Sequence, residues 1–202
     1  MFDYIIIGAG PGGLGLAYRL KTKDNKIGII ENDKWGGTCP NYGCDPTKMM
    51  MAVVEAKSRV EQLKGQGISG ELNIDWKGLK CRKLNITDPY EKSTFTGLKN
   101  AGIETIYGSA AFNDQGKLEV EGKTYQAKTY IIATGSRPRL LDIDGKEFLK
   151  TSNDFLALEE FPAQISFLGS GPISLELAQI AKAAGSDVTI ISRKKARVAH
   201  FD

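Results

Sequence analysis

Apolar positions along the chain fall into short unbroken runs and longer stripes of helical spacing. Tyr4, Ile5, Ile6 and Ile7 form one run, and Ile27, Gly28, Ile29 and Ile30 form another. Runs this short, bounded by glycine, predict buried strands of the kind found in parallel sheets. Between them, Leu14 to Leu20 predicts a helix. The opening therefore reads strand, glycine-rich turn, helix, strand, with Glu31 closing the second strand. After Lys48 the pattern predicts helix to about Leu63, with Met50, Val53, Val54, Ala56, Val60 and Leu63 apolar and Met49 to Met51 read as core filler. Gly65, Gly67 and Gly70 break the chain. A second helical region is expected from Asp75 to about Asn100, where Pro89 should stop or kink it. Its scattered lysines read as a solvated face.

From Ile103 to Ala111 the pattern predicts a strand, and residues 117 to 130 alternate around Gly122 as a hairpin or meander. Tyr130 to Ser136 reads as a buried strand ending in a tight turn. A linker through Gly145 to Asn153 follows, and then the pattern starts over. Ile165 to Leu168 predicts a strand, Leu175 to Ala184 a helix and Val188 to Ile191 another strand. The expected architecture is α/β. A Rossmann-like domain with a parallel sheet, helices and a β-meander covers residues 1–150, and the first βαβ unit of a second Rossmann-like domain covers 151–202.

Composition narrows the possibilities without choosing among them. The 202 residues carry ordinary apolar content and a net charge of +3, so the chain can bury a core and gives no reason to expect nucleic acid or a membrane surface as partner. The N-terminus runs straight into a strand, which leaves no room for a signal peptide, and a cytoplasmic location is the expectation. In that reducing setting, three cysteines argue for a catalytic pair plus one bystander, Cys81, over a structural disulfide. Zinc is not expected, because the remaining ligand candidates, Cys81 and His200, are distant.

The first turn, Gly8-Ala9-Gly10-Pro11-Gly12-Gly13, fits G-x-G-x-x-G. Gly8 makes the tight turn, Gly10 lets backbone approach a pyrophosphate, and Gly13 lets helix and strand pack closely. Glu31 stands eighteen residues beyond Gly13, where an acid binds ribose hydroxyls. A second fingerprint, Gly169-Ser170-Gly171-Pro172-Ile173-Ser174, repeats the first, with Ser174 replacing the third glycine. Two such turns imply two dinucleotides. At the end of the second unit the acid is absent: Ser192 is followed by Arg193, Lys194, Lys195 and Arg197. An acid there would repel a 2′-phosphate and bases would attract one, which favours NADPH over NADH.

The segment GGTCPNYGCDPTK, Gly36 to Lys48, places four residues between Cys39 and Cys44. Five helical steps rise about 7.5 Å and set the Cα atoms roughly 8 to 9 Å apart, too far for a disulfide. The segment must leave the cysteines unpaired or bend, and Pro40, Asn41 and Gly43 make bending easy. Asp45 and Pro46 are expected as N-cap and first residue of the next helix, which puts Cys44 near a helix N-terminus, where a thiolate is favoured. The two cysteines are a candidate redox pair.

These motifs together resemble the FAD-dependent pyridine nucleotide-disulfide oxidoreductases, the family of glutathione reductase, dihydrolipoamide dehydrogenase and mercuric reductase. The resemblance covers the whole chain, and ATGSRP, which begins at Ala133, resembles the family's second FAD-domain motif. It implies FAD at the first site and a nicotinamide cofactor at the second. Gly8, Gly10, Pro11, Gly12, Gly13, Glu31, Asn32, Gly37, Thr38, Lys48, Ala110, Ala133, Thr134 and Gly135 would then contact FAD. Gly169, Gly171, Ile173, Ser174, Arg193 and Lys194 would contact the nicotinamide cofactor. By the same resemblance Cys44 lies against the flavin, Cys39 is the outer interchange thiol, and Lys48 stands near the flavin N5 edge with Glu176 as its acid partner. Electrons would pass from NADPH through FAD to a Cys39–Cys44 disulfide, and on to a small-molecule disulfide or related acceptor.

Several residues depart from the pattern. Asp45 sits beside Cys44 where relatives often carry an apolar residue. Pro172 stands where glutathione reductases have a tyrosine over the nicotinamide pocket, and Tyr18 where they carry a glutathione-binding arginine, which argues against glutathione. The family's interface domain, with its dimer contacts and its His-Glu pair, has no counterpart in these residues, and His200 does not match it. The expectation is therefore a fragment of a longer, homodimeric enzyme, inactive in turnover by itself. The alternative is a redox-sensing or nucleotide-binding flavoprotein whose cysteines switch without turnover.

Overall fold

A computed structural model of the chain describes residues 1–193. The elements are β1 (Phe2–Ile7), α1 (Pro11–Leu20), β2 (Ile27–Glu31), α2 (Thr38–Tyr42), α3 (Cys44–Gln62), α4 (Trp76–Asn100), β3 (Glu104–Tyr107), β4 (Ala110–Phe112), β5 (Leu118–Val120), β6 (Lys123–Tyr125), β7 (Ala127–Ile132), a 3₁₀ turn (Lys146–Phe148), α5 (Ser152–Ala157), β8 (Gln164–Leu168), α6 (Pro172–Ala183) and β9 (Asp187–Ile191). They form two compact units, each assembled from two stretches of chain: Met1–Tyr42 with Ile86–Leu141, and Gly43–Asn85 with the chain from Asp142. The expected boundary near residue 150 follows the sequence repeat, whereas these units follow packing. No helix of the described residues is long and apolar enough to cross a membrane.

The first unit is built on a four-stranded parallel sheet in the order β3-β2-β1-β7. The two central strands are the two apolar runs, and both faces of the sheet are covered, which is why neither run alternates with polar residues. Successive side chains still serve opposite faces. Ile6, Ile27 and Ile29 pack with Ala17 of α1 and Leu98 of α4, whereas Phe2, Ile5 and Ile30 pack with Leu118 and Val120 of the antiparallel β4-β5-β6 meander. The hairpin expected at Gly122 is present. Glu121 and Gly122 both have positive φ (47° and 75°), as a two-residue type I′ turn requires.

The strand expected from Ile103 to Ala111 is two strands in two different sheets. Gly108 separates them: its φ is +144° and its N–H donates to Glu31 O at 2.8 Å. The chain thereby leaves the parallel sheet as β3 and enters the meander as β4.

The second unit pairs β8 and β9 in parallel and packs α6 on α3. Leu177, Ile180 and Ala181 of α6 meet Met50 and Val54 of α3, so Met50 is indeed core filler. Lys57 Nζ donates to Ala183 O at 2.9 Å, neutralising a carbonyl at the C-terminal end of α6. Two further expectations are modified here. Pro89 does not end α4, which runs through it to Asn100. Proline deprives the Asn85 carbonyl of its helical donor, and the division between units falls directly after Asn85. The segment expected as a linker contains the 3₁₀ turn and the first two residues of α5, and three α4 side chains bind α5 and the residues just after it: Lys83 Nζ donates to Leu156 O at 2.6 Å, Trp76 Nε1 to Leu158 O at 3.1 Å, and Lys80 pairs with Glu159.

At the start of α5 the Asp154 carboxylate accepts from both the N–H (2.7 Å) and the hydroxyl (2.8 Å) of Thr151. These bonds hold its pKa below the usual carboxylate value. A lowered folded-state pKa means that the contribution is complete above the unfolded value and is lost as pH falls through the folded one. Asp154→Asn is expected to cost a few tenths of a kcal/mol at pH 7, the exposed site being screened by solvent, and less at pH 3. Urea unfolding at the two pH values checks it; an equal cost at both would be incompatible with this role.

Candidate functional site

In the first unit, α1 begins at Pro11 with Gly10 as its N-cap; proline there has no N–H to satisfy and a φ already suited to a helix. Gly8 has φ +106°, and a Cβ on it would lie 2.2 Å from Ala133 O, which follows β7. A Cβ on Gly13 would lie 1.9 Å from Gly8 O. Both glycines therefore let backbone pack on backbone, Gly13 as its place in the fingerprint predicts. Gly12 differs: no described atom comes within 4 Å of the Cβ it lacks. This open face at a helix N-terminus suits a phosphate.

Glu31 does more than its expected ribose contact requires. It is buried, and its Oε2 accepts the Ala9 N–H at 2.9 Å while Oε1 accepts those of Asn32 and Asp33 at 2.9 and 3.0 Å. A carboxylate offers about four lone-pair sites, so one remains for a hydroxyl. Beside it, exposed Asn32 donates through Nδ2 to Ser109 Oγ at 3.2 Å, and its carbonyl accepts from Tyr107 Oη at 3.4 Å. Ala110 opens β4 at the same end of the sheet, and exposed Thr134 and Gly135 follow β7.

The cysteine segment is fastened to this turn. Gly36 N–H donates to Ala9 O at 3.1 Å, and a Cβ on Gly37 would stand 2.5 Å from Gly10 Cα. Asn41 holds the segment closed, its Nδ2 donating to Trp35 O at 3.2 Å and Gly37 O at 2.8 Å, while Trp35 packs on Phe95. Thr38 then starts α2, and half-buried Cys39 is its second residue. Tyr42 donates to Asp33 Oδ1 at 3.1 Å; burial, and then the Asp33 charge, push its pKa up to about 12. It is a neutral phenol across the physiological range.

Of the two alternatives the sequence leaves, helical continuity is broken between the cysteines, where α2 ends at Tyr42 and α3 begins at Cys44. The helix start differs from expectation: Gly43 is the N-cap of α3 and Cys44 its first residue, so Asp45 lies inside the first turn and Pro46 is the third residue. Glycine relieves the chain at the corner, and proline is tolerated where its missing N–H has no helical acceptor to serve. Cys44, Asp45 and Lys48 are exposed. They fall in the second unit, whereas Cys39 falls in the first.

The second fingerprint repeats the backbone conformation of the first at its opening glycine. Gly169 has φ +106°, its N–H donates to Ile191 O at 2.8 Å, and α6 begins at Pro172 behind Gly171. Ile173 is exposed and Ser174 half-buried. Glu176, Ser192 and Arg193 are exposed, and no ion pair joins Glu176 to Lys48 among the described residues. Lys194, Lys195, Arg197 and His200 lie outside the described residues. Two residues escaped the sequence reading. Asn41 was seen only as a turn former, and Ser170 only as the variable residue of a turn. Superposing the two repeats would have found Ser170, since it takes the place of Ala9 just as Ser192 takes that of Glu31.

A parallel sheet, a glycine turn stacked on a helix N-terminus, and a second copy of that unit define a Rossmann-like α/β protein of the dinucleotide-binding class. The profile of the family described as pyridine nucleotide-disulphide oxidoreductase matches residues 2–202. The chain belongs to that family. It is 36% identical over 198 residues to dihydrolipoyl dehydrogenase of Mycoplasma genitalium, covering 94% of this chain and 43% of that protein. It is 33% identical over 220 residues to glutathione reductase of Yarrowia lipolytica, covering 100% and 46%. A solved structure of the HOCl-induced flavoprotein disulfide reductase RclA from Escherichia coli, a cysteine-to-serine mutant in complex with Cu(II), matches with a TM-score of 0.83 and 25% identity over 96% of this chain and 43% of that one. The chain thus spans less than half the length of these relatives.

Proposed function

We propose that this chain is the flavin- and thiol-bearing portion of an NAD(P)H-dependent disulfide reductase, with FAD at the first turn and NADPH at the second. The observation that carries the reading is the join between cysteine segment and first turn: Gly36 is hydrogen-bonded to Ala9, and Gly37 closes on Gly10. The α2 helix that bears Cys39 therefore starts at the edge of a nucleotide site. The fit to FAD is supported by the open face at Gly12 and by the one Glu31 acceptor position left over after it braces the turn. FAD, when bound, supplies two-electron chemistry between a hydride donor and a disulfide. This chain's part is to hold the nucleotide with Gly10, Gly12, Glu31, Asn32, Ala110 and the Thr134-Gly135 turn, and to present Cys39 and Cys44. Lys48 and Glu176 are the proposed charged positions at the flavin and nicotinamide.

In net terms NADPH and a proton reduce the Cys39–Cys44 disulfide to two thiols. Thiolate exchange then passes both electrons to the acceptor disulfide, releasing two thiols and re-forming the pair. The acceptor is proposed to be a small molecule, glutathione being disfavoured by Tyr18, and the whole enzyme a cytoplasmic homodimer. The chain mixed with FAD and titrated with dithionite tests this. A long-wavelength charge-transfer band at two-electron reduction, lost in Cys44→Ser, is expected from a thiolate beside the flavin. Bleaching without a band, or no FAD binding, would refute it.

A further inference from the structure

The two fingerprint turns align residue for residue in sequence, and they are closed by different chemistry. In each, the glycine at φ +106° donates its N–H at 2.8 Å to a carbonyl at the end of the second strand, Gly8 to Ile30 and Gly169 to Ile191. The next residue along each strand end then reaches back to the residue after the glycine. In the first turn that contact is ionic: Glu31 Oε2 accepts from the Ala9 N–H at 2.9 Å. In the second it is a neutral bridge, Ser170 Oγ to Ser192 Oγ at 3.0 Å.

Two hydroxyls sharing one hydrogen bond place one hydrogen between them and leave the other free to donate outward. Whichever serine donates, the pair presents one spare O–H and carries no charge, next to exposed Arg193. A carboxylate at the same place accepts only, and its charge repels a phosphate monoester. We propose that Ser170, bridged to Ser192, is a specificity-determining residue that reads the 2′ substituent of the adenosine ribose, with a 2′-phosphate as the group it selects. The assignment rests on the NADPH reading for its direction, but the role of Ser170 as reader is separable from it.

Calorimetric titration of the 202-residue chain with 2′,5′-ADP and with 5′-ADP tests the two together. The wild-type chain is expected to prefer 2′,5′-ADP by about tenfold. Ser170→Ala, checked for an unchanged thermal melt, should reduce that ratio about fivefold with 5′-ADP affinity held within about twofold, since only the bridge is lost. Ser192→Glu should reverse the preference by rebuilding the ionic contact of the first turn. A Ser170→Ala ratio equal to wild type overturns the proposal, as does binding of neither nucleotide. If the wild type instead prefers 5′-ADP while Ser170→Ala still shifts the ratio, Ser170 keeps its role as reader and the NADPH reading fails.

Discussion

Gly13→Ala is expected to destabilise the first unit by about 4 kcal/mol or more, at the extreme of single-substitution effects. The added methyl would stand 1.9 Å from Gly8 O and 3.1 Å from Gly8 C, both backbone atoms, so no side-chain rotation relieves it. Either α1 lifts from the turn or the turn gives up the Gly8 N–H bond to Ile30 O. Both outcomes spoil the nucleotide site. Gly12→Ala is the control: one residue away, with open space around it, it should fall within about 0.5 kcal/mol of wild type while weakening FAD by crowding the open face. Chemical unfolding with FAD titration separates the two. A Gly13→Ala protein as stable as the Gly12→Ala one would mean that helix and turn are not in this contact.

Glu31→Gln should cost about 3 kcal/mol, because the change converts one of two acceptor atoms into a donor where three N–H groups converge. The amide nitrogen must face Ala9 or the Asn32–Asp33 pair, leaving at least one buried donor unsatisfied and a second donor opposing it. If Glu31 served only as a ribose ligand, the same substitution would weaken FAD and leave the unfolding midpoint alone. The pair of measurements therefore distinguishes a brace from a ligand. A wild-type midpoint for Glu31→Gln would remove the brace.

The parts of the fold legible in sequence were those whose signal is local. Each βαβ repeat announces itself through an apolar run, a glycine turn and a periodic helix, and the Glu121–Gly122 hairpin through its turn residues. Features decided by distant partners were not. Continuous helix through Pro89 is supported by buried Leu98 and half-buried Phe95 packing in the core beyond it, and order in α5 by Trp76, Lys80 and Lys83 binding it and the residues just after it. The split of Ile103 to Ala111 turns on Gly108, whose added Cβ would strike Glu121 Cγ at 2.6 Å. Helix α3 starts one residue before its expected N-cap, with Gly43 as the cap at φ −136° and ψ −111°, a conformation that glycine adopts most readily. At the site, glycine spacing located both turns and the acid, but the brace made by Glu31 and the bridge made by Ser170 depend on which way a side chain points.

The position of β7 governs the order in which this protein can assemble. It lies beside β1, with Ile7 opposite Ile132, although β1 is the first element made and nine other elements come between it and β7. At the usual elongation rate of about 5 to 20 residues per second, the nascent first strand waits on the order of ten seconds for its neighbour. Throughout that interval Ile5 and Ile6 belong to a sheet with an open side, so a ribosome-bound chaperone, or slow refolding from denaturant, is where this topology should make itself felt.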